Sequence, residues 1–114
     1  MYPDTIPVIP AGTTFGVECA FRDESKVLIT PNSAVWSLLD QHGNIINSRS
    51  TIAITPIDDT VTIVLSGADT EITEDTNSRT YRRFIRVNAV YTSSLGSDLP
   101  LVNSMQFLVS RNFY

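Results

Sequence analysis

Cys19 and His42 are the only cysteine and histidine in the 114-residue chain, and they do not suit each other. A nucleophilic cysteine needs a nearby base and a setting that favours the thiolate. Cys19 instead sits in "TTFGVECAFR", where alternation places it on one face with Phe15, Val17 and Phe21. A buried, inert thiol is the expectation there. His42 lies in "DQHGN", a turn in which Gly43 and Asn44 tolerate positive φ, so an exposed imidazole is expected. With no second His or Cys, a zinc site is not indicated. The acidic stretch Asp69, Glu71, Glu74 and Asp75 offers oxygen ligands of the kind calcium takes. It lacks the spacing and glycine of a calcium loop, and a solvated loop is expected. Asp58 and Asp59 read as a turn ahead of a strand. No phosphate loop, GxSxG elbow or paired catalytic histidines occur. We therefore assign no catalytic, metal or cofactor-binding residue, and expect no cofactor and no enzyme.

Two other groups carry possible binding chemistry. Arg79, Arg82, Arg83 and Arg86 hold four of the seven arginines. Alternation puts Arg82 and Arg86 on one face of a strand and Arg79 and Arg83 on the other. A stripe so divided is poor for phosphates and has no interleaved aromatic platform. Cross-strand or inter-subunit pairing with acidic groups is expected instead. Trp36, in "AVWSLLD", shares its face with Ala34 and Leu38, which favours a core role over a sugar-stacking platform.

Strands must position all of these residues. Period-2 alternation recurs along the chain and no helical stripe does. Ala34, Trp36 and Leu38 mark one strand, and Ile45 and Ile46 begin a returning one. Ile52 and Ile54 mark another, ended by Pro56. Val61, Ile63 and Leu65 align, with Thr60 and Thr62 facing solvent. Residues 67–77 read as an acidic loop around one short strand. In "RTYRRFIRVNAVYT", Ile85, Val87, Ala89 and Tyr91 align. "SSLGSDLP" is the turn into "LVNSMQFLV", where Met105, Phe107 and Val109 align. About seven to eight strands at roughly ten-residue spacing give an all-β, immunoglobulin-like antiparallel β-sandwich. We divide the chain into an extended Pro-rich arm (1–12), the sandwich domain (13–110) and a short tail (111–114).

Composition narrows the function classes. Charged residues are only 18 % of the chain and the formal net charge is −4. Ser, Thr and Asn must therefore cover much of the surface. No electrostatic footprint for nucleic acid is present. A lone cysteine permits no internal disulfide and fits a reducing compartment. The N-terminus lacks a basic region and carries three prolines where a signal peptide would be apolar. No apolar run is long enough for a membrane helix.

One segment carries a resemblance. "VWSLLDQHGNIINSRSTIAI" resembles the W-x-L-x-D-x-x-G-x-x-(I/V) hairpin of small immunoglobulin-like virion proteins of tailed bacteriophages. "YRRFIRVNAVYTSSLGSDLPLVNSMQFLV" is similar to the last two strands of those modules. The resemblance covers about residues 30–108. It implies a non-enzymatic virion part, made in the host cytoplasm, that decorates a capsid or forms part of a neck, tail or fibre. Its partners would be other capsid or tail subunits and copies of itself, a trimer being expected because capsid lattices offer threefold positions. Tyr2, Arg82, Arg86, Phe113 and Tyr114 are the candidate interface residues, since aromatics and arginine dominate interface energy. A carbohydrate-binding or adhesion module is the alternative.

Overall fold

The computed structural model describes residues 7–72 and 79–111. Seven strands run through the described residues: β1 (Val8–Pro10), β2 (Phe15–Ala20), β3 (Ser33–Asp40), β4 (Ile52–Ala53), β5 (Thr60–Leu65), β6 (Thr80–Ser93) and β7 (Gly96–Ser110). A short 3₁₀ turn covers Gly67–Asp69. No helix among the described residues is long and apolar enough to cross a membrane. One sheet has the order β1-β7-β6-β3-β4 and the other pairs β2 with β5. In the immunoglobulin scheme this is A′-G-F-C-C′ on one side and B-E on the other. The sandwich is mixed rather than wholly antiparallel. β1 runs parallel to β7, with Val8 beside Leu108 and Pro10 beside Ser110.

Alternation explains the layering, because successive side chains of a strand point to opposite faces. Ala34, Trp36 and Leu38 of β3 sit opposite Ala89, Val87 and Ile85 of β6. From the smaller sheet come Cys19, Val61, Ile63 and Leu65, and from β7 come Phe107 and Val109. These side chains form one continuous core. Phe15 and Phe107 meet across the layers with ring centroids 5.5 Å apart.

Three expectations change. Ile45 and Ile46 do not begin a regular strand. Ile45 makes one bridge to Leu39. Asn47, Ser48 and Thr51 then take left-handed φ of 53°, 56° and 50°. That conformation breaks the pleat, and pairing resumes only at Ile52. Among the described residues, no strand forms in 67–72, where the 3₁₀ turn stands instead. The last hairpin turns earlier than expected: Ser93 pairs with Gly96 across a two-residue connection, and a bulge between Tyr91 and Ser93 absorbs the change of register.

Cys19 is buried, and the amide of Asn103 donates to its Sγ at 3.6 Å. Burial pushes the thiol pKa above its ordinary value against the smaller opposing effect of that hydrogen bond. We expect native protein to react with a thiol reagent far more slowly than urea-unfolded protein, at least by about tenfold. Equal labelling rates in the two states would show an open thiol.

Candidate protein-binding face

The second face of the five-stranded sheet is turned away from the core. Odd residues of β3 and even residues of β6 and β7 project there, in rows fixed by the register. Leu39, Phe84 and Gln106 form one row, and Ser37, Arg86 and Ser104 the next. Val35, Asn88 and Val102 follow. At the other edge Arg82 sits beside Leu108, which pairs with Val8. Val8 is 58 % exposed and Val102 54 %. Val35, Leu39, Phe84, Val90 and Leu108 are half-buried. A shallow depression of about 240 Å³ lies over Ser33, Val35, Asn88 and Val90.

In these rows Arg82 and Arg86 are the only charged side chains. Arg82 Nη1 donates to Gln106 Oε1 at 3.1 Å, so its partner is an amide and not the expected carboxylate. Arg86 is exposed, and its cross-strand neighbours are Ser37 and Ser104. Among the described residues no hydrogen bond or ion pair engages its guanidinium. Ser37 Oγ is taken by the amide of Thr51 at 3.0 Å. The face thus combines apolar side chains with local positive charge in a chain of net charge −4. Apolar contact with arginine at its margin is the composition of protein-binding surfaces.

The other singled-out residues are placed elsewhere. Arg83, expected to pair across strands or subunits, is fully buried on the core side between Tyr81 and Ile85, and Nη1 donates to the Arg82 carbonyl at 3.3 Å. It is therefore no surface anchor. Arg79 is exposed at the start of β6. His42 is exposed in its turn, where Asp40 Oδ1 accepts from the amides of His42 and Asn44. Trp36 is buried, which removes it as a sugar-stacking platform. Tyr2, Phe113 and Tyr114, together with Glu74 and Asp75, lie outside the described residues.

Glu71 is exposed as expected, whereas Asp69 departs from the expected solvated acidic loop. It is fully buried, and Arg49 Nε donates to its Oδ1 at 2.8 Å. The side-chain amide of Asn47 donates to Oδ1 and the Ser66 backbone amide to Oδ2. Its carboxylate ties the 46–51 loop to the 3₁₀ turn, and Arg49 also lies 5.8 Å over the Trp36 ring. No signal in the local sequence links these residues, because Arg49 and Asp69 are twenty apart. Among the described residues, no three His, Cys, Asp or Glu side chains converge in a way that could hold a metal. No family model, curated protein or solved structure matches the chain.

Proposed function

We propose that the protein is a non-enzymatic structural subunit of a tailed-phage virion that binds neighbouring capsid or tail subunits through the outer face of its larger sheet. The observation that supports this most is that face itself, with Val8, Val102 and Phe84 around the exposed arginines Arg82 and Arg86. The low charge content and the sequence resemblance support the same reading. Self-association into a closed trimer belongs to it, with the aromatic termini as further anchors.

The test is incorporation into particles. Antibody against the chain should label purified particles of the phage that encodes it. Arg82→Glu combined with Arg86→Glu should abolish that labelling. Both side chains are exposed, so stability should change by no more than about 0.5 kcal/mol each. Unlabelled wild-type particles would defeat the virion reading. Normal incorporation of the double variant would move the interface to another surface. Light scattering of the purified protein tests the trimer separately, and a monomer at high concentration would count against it.

A further inference from the structure

We propose that the outer face of the smaller sheet, built by β2 and β5, is what a second copy of this chain presents to the outer face of the larger sheet, in a head-to-tail contact centred on Glu18 and Arg86. The inference rests on the larger sheet's outer face being a binding face, and it names what that face binds.

The smaller sheet supplies the first observation. Its register sets Glu18 beside Thr62, Gly16 beside Val64 and Ala20 beside Thr60. These residues alternate with the inward Cys19, Val61, Ile63 and Leu65, so they face away from the core. Val64 is 60 % exposed, and Gly16 opposite it has no side chain to cover its flank. Glu18 is exposed in mid-strand among short side chains. Among the described residues no hydrogen bond or ion pair engages its carboxylate. Past the end of β2 the Phe21 amide still donates to the Asp59 carbonyl at 2.8 Å. That bond carries the register on and gives Arg22 and Asp58 facing positions, where their opposite charges offset each other. Glu18 is thus the uncompensated charge of this face.

The larger sheet offers the counterpart. Arg86 stands in mid-strand between Ser37 and Ser104, short neighbours above which its guanidinium rises. The rows on either side of it hold Leu39 with Phe84, and Val35 with Val102. Side chains on one face of a strand recur every second residue, about 6.6 Å apart. Sheets packed with their strands aligned to within about 30° keep neighbouring rows of that spacing in step. When Glu18 meets Arg86, Val64 therefore falls on one of the apolar rows next to Arg86, whichever way the strands run. One arrangement pairs two charges that have no partner among the described residues and covers the exposed valine.

Charge also decides which surfaces meet. Two larger-sheet faces brought together would oppose arginines with arginines, whereas the chain as a whole is acidic, with a net charge of −4. Because unlike surfaces meet, successive copies form a ring where their rotation closes and an open stack where it does not. Area sets the strength of the contact. β2 and β5 have six residues each, so their face spans about 20 Å by 10 Å. A stable interface buries about 800 Å² per partner. The pairwise contact is therefore weak and shows itself at high protein concentration.

The test is a charge swap read by sedimentation equilibrium of the full chain. Between about 20 µM and 1 mM the average mass of the parent should rise above that of a monomer, and less so at high salt. Glu18→Arg and Arg86→Glu, each alone, should weaken the association about tenfold, and both together in one chain should restore it to within about threefold of the parent. Both positions are exposed, so urea unfolding should confirm that every variant is folded as the parent is. In NMR spectra of the parent, rising concentration should move the amides of Glu18 and Val64 together with those of Arg86 and Ser104. A parent still monomeric at about 1 mM overturns the proposal, and so do single reversals that the swap does not rescue. Loss with Arg86→Glu but not with Glu18→Arg also overturns it, while leaving the larger sheet's face as a binding face. Failure of that wider reading shows itself separately, as normal particle incorporation of the variant carrying both Arg82→Glu and Arg86→Glu.

Discussion

Trp36→Ala should destabilise the protein by about 3–5 kcal/mol, the range for truncating a buried large aromatic. Trp36 is 7 % exposed and lies mid-strand in β3. Val87 of β6 is its neighbour on one side and Ile52 of β4 on the other. Removing the indole would leave a cavity walled by a pleated sheet whose hydrogen bonds resist collapse. A second loss adds to this. The Arg49 guanidinium stands 5.8 Å from the ring centroid while bonded to Asp69. A partly desolvated cation over indole contributes about 0.5–2 kcal/mol. Trp36→Phe keeps an apolar ring with a weaker π face, so its cost should be less than half that of the alanine variant. Urea unfolding of the three proteins checks the order. The native fluorescence maximum should be blue-shifted and move red on unfolding. An alanine variant within 1 kcal/mol of the parent would show that the ring is not a core residue.

The alternating positions of this chain were legible because one buried face dictates every second residue. Ile63 and Leu65, Val87 and Ala89, and Phe107 and Val109 all fall inward as their spacing requires. Arg83 shares that parity, yet cross-strand or inter-subunit pairing is the expectation for it, since arginine is seldom fully buried. Here the register of the strand prevailed over the preference of one side chain. The 45–51 segment departs from the expected returning strand for a different reason, while the strand expected at Ile52 forms. Left-handed backbone at Asn47, Ser48 and Thr51 leaves no periodic trace. The parallel docking of β1 depends on Ile9 alone among its three residues being buried, too short a run to show a period. The candidate face was half legible. Arg82 and Arg86 could be placed together by parity, but Val35, Val102 and Leu108 join them only through the pairing of three strands.

Asp69→Ala should cost about 3 kcal/mol, the lower end for breaking a buried ion pair. The lower end applies because Asp69 has no exposed side-chain surface while Arg49 retains 34 % and can rehydrate once its partner is gone. What remains costly is the loss of acceptors for Asn47 and the Ser66 amide. The same carboxylate makes stability depend on pH. Burial by itself pushes the Asp69 pKa up. The hydrogen bonds from Arg49, Asn47 and the Ser66 amide, with the Arg49 charge, outweigh it and hold the pKa below the ordinary carboxylate value. A group whose folded pKa is depressed binds protons more readily in the unfolded chain. Its contribution is therefore complete above the unfolded pKa of about 3.9 and is lost as pH falls through the lower folded value. Asp69→Asn keeps the size and an acceptor oxygen but abolishes this titration. Its deficit relative to the parent should be steady from pH 7 to about 5 and shrink below about 4. Urea titrations across that range measure it. A deficit that stays constant to the lowest pH would mean that the charge of Asp69 contributes nothing, and that only its shape and hydrogen bonds hold the loop.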